Sequence, residues 1–151
     1  METSLVLVKP DGVQRGLVGR VLSRFEDKGL SIAGLKLLVA PKATLEKHYA
    51  VHRERPFYGS LLQFMGSGPV VAIAVRGVNA VAVVRTLLGP TNGQEAPGGT
   101  IRGDFGMSRS FNLVHASDST ENAAMELGLW FPEGTCDYQH DVLRWVYDDE
   151  A

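Results

Sequence analysis

The amino-acid sequence predicts an α/β protein, specifically an α+β sandwich of the split βαβ, or ferredoxin-like, kind. In this arrangement helices cover a mostly antiparallel four-stranded sheet. The first observation is that short apolar runs alternate with segments whose apolar residues recur at helical spacing. The second is their order, which is strand, helix, strand, a helical insertion, then strand, helix, strand. The third is the length of 151 residues, which suits a single domain, 1–151, with one sizeable core.

The first elements follow from a strand-length run and a helical repeat. Leu5–Val8 is apolar throughout and ends at the turn residues Pro10-Asp11-Gly12, so we expect Lys9 at the mouth of the first strand. From Val18, apolar residues recur at i+3, i+4 and i+7, which predicts a helix with one buried face. Gly29 is a typical end for that helix.

The middle of the chain carries two more strands and the helical insertion. Ile32–Val39 is mostly apolar and is the second predicted strand. Thr44 is a predicted cap for a helix that runs toward His52, and Tyr58–Met65 is a shorter helical piece. The uninterrupted apolar run Val70–Val75 is the clearest buried strand in the sequence.

The next part of the chain contains one clear helix and one long irregular stretch. Asn79 is a predicted cap for the helix Ala80–Leu88. From Gly89 to Ser110 there is no convincing periodicity, although the stretch holds six glycines. Loops of this length inside a compact domain are usually functional or disordered, and Thr91 and Arg102 favour a functional loop here.

We expect the chemistry of the protein in the segment 112–118, Asn-Leu-Val-His-Ala-Ser-Asp. A short apolar run from Phe111 predicts a strand that ends at His115, and Ser117 and Asp118 are residue types that cap helices. Such a junction presents backbone N–H groups and positive dipole potential, which suit a phosphate. A neutral imidazole there is nucleophilic and can accept a phosphoryl group. On this segment alone, a buried structural histidine hydrogen-bonded to Ser117 is an equally good interpretation.

Composition and charge limit the classes of function. Fifteen basic and seventeen acidic residues give a net charge of −2, which argues against a dedicated nucleic-acid surface. The single cysteine, Cys136, cannot form an intrachain disulfide, and this favours a reducing, cytoplasmic compartment. No apolar run reaches the length of a membrane span, and Met1–Ser4 lacks the basic start of an export signal, so we expect no membrane association.

Five segments of the sequence, taken together, resemble one enzyme family. They are Lys9–Gly19 (KPDGVQRGLVG), Arg55–Phe57 (RPF), Ser67–Val71 (SGPVV), Gly99–Phe105 (GTIRGDF) and Asn112–Asp118 (NLVHASD). In this order and at this spacing they resemble the nucleoside diphosphate kinases over nearly the whole chain. Phe111 stands where that family commonly has arginine, and Gly98 where it often has proline. We expect neither residue to touch a group that contacts the nucleotide.

The resemblance implies an enzyme that moves the γ-phosphoryl group from a nucleoside triphosphate to a nucleoside diphosphate by a ping-pong mechanism. His115 is implied as the nucleophile that becomes the phosphohistidine, with Ser117 and Glu126 as its supports. Phosphate and sugar contacts are implied for Lys9, Tyr49, Arg85, Thr91, Arg102 and Asn112. Phe57 is implied to stack on the base. Stacking tolerates any base, so broad base and sugar specificity follows.

The resemblance also implies a cofactor and an assembly. Mg²⁺ is expected to arrive on the nucleotide phosphates, because it keeps waters and takes few protein ligands, so we expect no dedicated metal site. Nucleoside di- and triphosphates are the implied partners. A homo-oligomer is implied as well, with dimer, tetramer and hexamer all open. A sandwich with helices on one sheet face can leave apolar surface elsewhere.

The residue types suit this chemistry, although each has a plainer interpretation. Phosphoryl transfer needs positive charge around the phosphate oxygens and in-line placement of the reacting atoms. Lys9, Arg85 and Arg102 supply the charge, but each alone is more often a solvated surface residue. Phe57 and Tyr49 are, by themselves, typical core aromatics. Only their combination around one site favours a nucleotide pocket.

Three further side chains carry hypotheses of their own. Glu126 lies about two turns into the helix predicted after the histidine segment, beside its apolar face. It is predicted to accept a hydrogen bond from the imidazole nitrogen that does not attack, and a solvated glutamate is the alternative. His48 and His52 lie four residues apart and could share a metal, but without a third ligand surface histidines are favoured.

Two other functions stay open on the sequence alone. A non-catalytic nucleotide- or nucleic-acid-binding regulatory module would use the same pocket without turnover. A phosphohistidine carrier would receive phosphate from a protein kinase, and it would leave Phe57, Thr91 and Arg102 without a purpose.

Overall fold

A computed structural model describes residues 1–151 as a four-stranded antiparallel sheet with helices packed against it. The strands are β1 (Glu2–Val8), β2 (Ser31–Leu38), β3 (Val70–Gly77) and β4 (Val114–Ala116). Their order across the sheet is β2-β3-β1-β4. Because β3 lies between β1 and β2 and runs antiparallel to both, β1 and β2 are parallel to each other. This is the split βαβ arrangement, and the predicted fold class is confirmed.

Seven α-helices connect and cover the strands. They are α1 (Pro10–Gln14), α2 (Val18–Lys28), α3 (Lys42–His48), α4 (Tyr58–Met65), α5 (Ala80–Leu88), α6 (Ile101–Phe105) and α7 (Thr120–Trp130), with 3₁₀ turns at Ala50–His52 and Asp141–Trp145. The helix α3 starts at Lys42 after the N-cap Pro41, so the predicted cap Thr44 is wrong. Proline fixes φ near the value a helix start needs, and this sets the boundary. No helix has the length and apolar character needed to cross a bilayer.

Helices pack against both faces of the sheet, which corrects the expectation that they lie on one face. Side chains alternate along β1, so that Val6 and Val8 join a core with α2 and α5. Leu5 and Leu7 point to the other face and join a core with α3, α4 and α7. All four side chains are fully buried, and each such burial is worth roughly 1.5–3 kcal/mol. The strand β1 is therefore the centre of the molecule.

The pairing of β1 with β4 brings the two halves of the site together. Leu7 lies opposite His115 in the antiparallel register, and the backbone N–H of Lys9 donates to the carbonyl of Leu113 at 2.8 Å. The end of β1 and the histidine segment therefore meet at the same edge of the sheet.

Candidate active site

His115 lies in the middle of β4, next to the end of β1. The predicted strand from Phe111 is shorter in the structure, because Leu113 has a left-handed backbone with φ of 74° and regular pairing starts only at Val114. The side chain of His115 is 23 % exposed. It is therefore held by the protein and still accessible from the surface.

The left-handed backbone at Leu113 is held in place by the turn after β1. Positive φ at a bulky residue is rare and costs about 1–3 kcal/mol, so the surroundings must enforce it. The carboxylate Oδ2 of Asp11 accepts from the backbone N–H of Leu113 at 3.0 Å, and Lys9 binds its carbonyl. A Cβ at Gly12 would lie 3.0 Å from that carbonyl and 2.7 Å from Val8 Cγ1, so glycine permits the close approach. The two active-site segments thus fix each other.

Glu126 on α7 contacts the imidazole of His115. Its Oε2 lies 3.1 Å from His115 Nε2, and its Oε1 accepts from the hydroxyl of Ser117 at 2.6 Å. Burial by itself raises the pKa of Glu126. The hydrogen bond and charge of His115 and the bond from Ser117 outweigh it and hold that pKa below its usual range. An ionised carboxylate at Nε2 requires the ring hydrogen there, and this leaves the lone pair on Nδ1.

Ser117 connects this carboxylate to the sheet instead of capping a helix. Its buried hydroxyl accepts from the backbone of β1 at 3.1 Å and donates to Glu126. The N-cap of α7 is Ser119, whose Oγ accepts from the backbone N–H of Asn122 at 3.1 Å. The predicted caps, Ser117 and Asp118, are therefore wrong. Asp118 instead accepts from the side chain of Asn122 at 2.6 Å.

A second histidine, His48, lies behind the first. The ring centroids of His48 and His115 are 4.6 Å apart, and the side chain of His48 is 1 % exposed. Its Nδ1 accepts from the indole Nε1 of Trp130 at 3.0 Å, and its Nε2 lies 3.7 Å from Glu126 Oε2. Burial, followed by the charge of His115, lowers the pKa of His48 to about 3, so the ring is neutral at physiological pH. The expectation of a surface histidine is wrong here.

Lys9 and Asn112 form a polar pair beside the strained segment. The ammonium Nζ of Lys9 donates to Asn112 Oδ1 at 2.9 Å. Burial, together with the positive charge of Arg102, lowers the pKa of Lys9 to about 8, although Asp11 opposes the shift. An anion bound beside Lys9 would offset the positive charge of Arg102 and favour the ammonium form of the lysine. The pair therefore suits an anionic ligand such as a phosphate.

Arg102 organises the backbone around this pair. Its guanidinium is buried and donates to the carbonyls of Asn112 at 3.2 Å, Gly89 at 2.8 Å and Val114 at 2.7 Å. Three of its five N–H groups are used in this way and two remain. Burial, then the charge of Arg85, lowers the pKa of Arg102 to about 10. Arg85 on α5 is exposed and reaches the carbonyl of Ala116 at 3.4 Å.

Two cavities bring the predicted site residues together, and both are lined by Tyr49 and His52. The smaller, of about 470 Å³, is lined by His115, Glu126 and Arg85. The larger, of about 800 Å³, is lined by the predicted residues Lys9, Phe57, Thr91 and Asn112. Of the predicted set only Ser117 and Arg102 line neither cavity, and both hold residues that do. Because they share Tyr49 and His52, the two cavities adjoin each other, and His115 lines the smaller one.

Comparison with known proteins decides the family. The family model described as "Nucleoside diphosphate kinase" matches residues 2–136, which is most of the chain. The chain belongs to the nucleoside diphosphate kinase family. The predicted nucleotide phosphotransferase function is thereby confirmed.

Relatives across plants, archaea and protists carry the same family name. A nucleoside diphosphate kinase of Helianthus annuus is 47 % identical over 98 % of this chain and all of its own length. One from Archaeoglobus fulgidus is 51 % identical over 99 % of this chain and 95 % of its own length. Among solved structures, a family protein from Babesia bovis has a TM-score of 0.94 at 44 % identity, over 97 % of this chain and 100 % of its own. A halophilic family member from Halobacterium salinarum, solved in complex with CDP, has a TM-score of 0.93 at 41 % identity, over 97 % and 99 % of the two chains.

The larger cavity contains two residues that the sequence did not single out for nucleotide contact. Arg109 is exposed on its wall and makes no hydrogen bond or ion pair with the protein. The second is Phe111, which departs from the common pattern of nucleoside diphosphate kinases. The sequence predicts that it does not touch a group that contacts the nucleotide. It lines the same cavity as Phe57, and its ring packs against Phe64 with centroids 5.6 Å apart. Arg109 lies in the irregular stretch 89–110, and Phe111 begins the apolar run that predicts a strand, so neither position indicated a wall of a cavity.

The atoms of His48, His115 and Glu126 that can bind a metal lie within 4.8 Å of one another. They are not the pair His48 and His52 considered from the sequence. Glu126 is already hydrogen-bonded to His115, and the charge of Lys9 acts on His48 as well. Positive charge disfavours a bound divalent ion. We therefore assign the three side chains to one polar cluster, in which Glu126 is hydrogen-bonded to His115 and lies 3.7 Å from His48.

Proposed function

We propose that this enzyme transfers the γ-phosphoryl group of a nucleoside triphosphate to a nucleoside diphosphate through His115, in two half-reactions. The observation that carries the proposal is the contact of Glu126 Oε2 with His115 Nε2. This contact reserves Nε2 for the ring hydrogen and frees the lone pair of Nδ1. One nitrogen then serves donor and acceptor in turn, which is a ping-pong mechanism.

Each half-reaction makes one bond to phosphorus and breaks one. In the first, His115 Nδ1 attacks the γ-phosphorus, the bond to the β,γ-bridging oxygen breaks, and the nucleoside diphosphate leaves with that electron pair. The ring becomes positive as Nδ1 bonds to phosphorus, and the carboxylate of Glu126 stabilises this charge. In the second, a terminal phosphate oxygen of the acceptor attacks phosphorus and the electron pair returns to Nδ1.

The phosphates are held by donors from several elements. Lys9, Arg85 and the two remaining N–H groups of Arg102 supply positive charge, and Thr91 and Asn112 add polar contacts. The hydroxyl of Tyr49 is buried without a hydrogen-bond partner in the protein. Burial and the charge of Glu126 raise the pKa of Tyr49, so this hydroxyl keeps its hydrogen and is available to a phosphate oxygen.

The base is held by stacking. Phe57 is 48 % exposed on the wall of the larger cavity, so its ring offers a face to a planar ligand. Stacking energy of about 1–3 kcal/mol is available to every base, which supports broad base specificity. Arg109 lines the same cavity with a free guanidinium and adds a second planar surface.

We propose Mg²⁺ as the cofactor. Besides Glu126, only one carboxylate lines the cavity that contains His115, that of Asp118, and it accompanies Arg85. A lining with so few carboxylates does not suit a dedicated protein site for the ion. It suits an ion that arrives with the phosphates and keeps most of its waters. When bound, the ion neutralises charge on the β- and γ-phosphates.

The proposal also includes the domain organisation, the assembly and the cellular location of the protein. We treat 1–151 as a single domain, because the C-terminal segment is hydrogen-bonded to the rest of the chain. The backbone N–H of Cys136 donates to the carbonyl of Ala33, and the backbone N–H of Val78 donates to the hydroxyl of Tyr147. We propose a homo-oligomer, because the edge strand β2 exposes the apolar side chains of Leu35 and Leu37. A cytoplasmic location is proposed from the single, exposed cysteine, which suits a reducing compartment.

The experiment is phosphorylation of the purified chain by γ-labelled ATP alone. We expect an acid-labile, base-stable phosphoprotein that loses its label to added GDP, and no label in His115→Asn. Initial rates with both substrates varied should give parallel double-reciprocal lines. Intersecting lines, or transfer that survives in His115→Asn, contradict the proposal.

A further inference from the structure

A buried indole lies behind the catalytic pair. Trp130, at the end of α7, is 1 % exposed, and its Nε1 lies 3.0 Å from His48 Nδ1. An indole N–H can only donate a hydrogen bond, so His48 Nδ1 must accept with a lone pair. A neutral imidazole that accepts at Nδ1 carries its hydrogen on Nε2. The hydrogen position on a ring 4.6 Å from the nucleophilic histidine is therefore set by Trp130.

The other nitrogen of His48 faces the catalytic carboxylate. His48 Nε2 lies 3.7 Å from Glu126 Oε2, the same oxygen that contacts His115 at 3.1 Å. With hydrogen on Nε2, the ring presents a positive N–H dipole to this oxygen. With hydrogen on Nδ1, two N–H groups would meet at Trp130 and a lone pair would face the carboxylate. Both contacts would then be repulsive, so the environment admits one tautomer.

The carboxylate is consequently held from both sides. Ser117 donates to Oε1 at 2.6 Å, and the two imidazoles face Oε2. Rotation of the carboxylate away from His115 would break the 3.1 Å hydrogen bond and would leave the buried N–H of His48 facing no acceptor. An unsatisfied buried polar group costs about 1–3 kcal/mol.

We propose that Trp130 is a positioning residue: its indole N–H selects the Nε2–H tautomer of His48, and this tautomer keeps the Glu126 carboxylate turned toward His115. The proposal rests on the proposed function, because the orientation of Glu126 matters only if that carboxylate fixes the ring of His115. Neutrality of His48 agrees with it, since burial lowers the pKa of this ring to about 3.

The first test reads the tautomer directly in the unmodified enzyme. Two-dimensional ¹⁵N–¹H spectra of the imidazole rings distinguish a nitrogen that carries hydrogen from one that does not. The His48 signals are assigned by their loss in His48→Gln. We expect His48 to be neutral, with hydrogen on Nε2, between pH 6 and 8. Hydrogen on Nδ1, or a cationic ring in this range, overturns the proposal whether or not the enzyme is active.

The second test removes only the N–H. Trp130→Phe keeps an aromatic ring, and Trp145→Phe makes the same change at a residue that is 79 % exposed. In Trp130→Phe we expect a mixture of His48 tautomers and a kcat lowered about fivefold, the scale of one lost hydrogen bond, with KM for the nucleotide unchanged. Trp145→Phe should match the parent in all three. A Trp130→Phe enzyme with the parent tautomer and kcat, or with a change confined to KM, overturns the proposal.

A pair of variants at His48 decides the question if Trp130→Phe does not fold. Glutamine at position 48 can accept from Trp130 with its oxygen and donate toward Glu126 with its nitrogen, whereas leucine can do neither. Among folded protein, we expect His48→Gln to lose much less kcat than His48→Leu. Equal losses overturn the proposal. Labelling of the parent enzyme at His115 tests the proposed function separately, so the two failures are distinguishable.

Discussion

Either ring nitrogen of His115 can carry the hydrogen of the neutral imidazole, and the protein decides which one does. Glu126 binds at Nε2, so the hydrogen stays on the buried side and the lone pair lies on Nδ1. A carboxylate is also the residue type that best stabilises the cation formed when Nδ1 bonds to phosphorus. The neutral His48 adds no second positive charge to this centre.

Replacement of Glu126 by glutamine tests whether this carboxylate fixes the hydrogen at His115 Nε2 and stabilises the cationic ring. Glu126→Gln keeps the size and an acceptor oxygen but removes the negative charge, so kcat should fall about tenfold or more. Nucleotide affinity should barely change, because Glu126 touches no phosphate in the proposed complex. Glu121→Gln, an exposed change on the same helix, is the control and should behave as the parent. Full kcat in Glu126→Gln, or a loss confined to nucleotide affinity, contradicts the assignment. Steady-state kcat and nucleotide Kd are the measurements.

Lys9 should make nucleotide binding depend on pH. Its pKa is lowered to about 8, so in the free enzyme the ammonium is charged below this value and neutral above it. Nucleotide affinity should therefore be highest at pH 7 and should fall as the pH rises through 8. The Kd should increase by up to about tenfold per pH unit. Calorimetric Kd for a nucleoside diphosphate between pH 7 and 9.5 should show this rise.

Two alanine variants separate Lys9 from other titrating groups. Lys9→Ala should bind more weakly at every pH and lose the dependence above pH 8. Lys28→Ala, at the exposed end of α2, should keep the dependence of the parent. An unchanged pH dependence in Lys9→Ala would show that another group causes it.

Single residues of the site were predictable where a motif fixed their type. Lys9, Phe57 and His115 stand in segments whose order and spacing point to one chemistry. The sequence favours a surface position for His48, because His48 and His52 lack a third ligand and a histidine on a short helix gives no sign of its direction. Its burial becomes evident only with its neighbours, since Leu45, one turn earlier on α3, and Trp130 on α7 are also buried.

At the scale of elements, α7 shows what helical periodicity can and cannot give. In the sequence, Ala123, Leu127 and Trp130 recur at i, i+4 and i+7, which predicts them on the inner face with Glu126 beside it. In the structure Ala123, Glu126 and Trp130 are buried and Leu127 is partly exposed. Apolar periodicity does not predict the burial of Glu126. It contains no information on Ser117 and His115, the partners from outside the helix that satisfy the carboxylate oxygens.

The short helices α1 and α6 were missed for a related reason. Each has five residues, which is too short for an apolar repeat to appear. The N-cap of α6 is Thr100, whose Oγ1 accepts from the backbone N–H of Gly103 at 2.9 Å. The stretch 89–110 is held further by Arg102 and by an ion pair between Arg24 and Asp104. Its order comes from tertiary hydrogen bonds, which leave no periodic signature in the sequence.

At the scale of the whole molecule, one sheet edge is left uncovered. β2 is an edge strand of eight residues, and Leu35 and Leu37 lie opposite Ile73 and Val71 on the face that α2 and α5 cover elsewhere. Leu35, Leu37 and the following Val39 are 53 %, 66 % and 64 % exposed. Alternate apolar side chains on an unpaired edge strand are a liability in a monomer and are suited to an interface with a second copy.

The last prediction is that the chain forms a homo-oligomer through this edge. Multi-angle light scattering at micromolar concentration should give at least twice the 16.4 kDa of the chain. The double variant Leu35→Lys and Leu37→Lys should shift the mass toward the monomer, because four like charges would then meet across a two-fold interface, whose two copies present the same patch. Val51→Lys, a change at an exposed apolar residue in the turn Ala50–His52, should leave the mass unchanged. A parent chain of about 16.4 kDa refutes the oligomer, and a double variant that keeps the parent mass refutes the role of this edge.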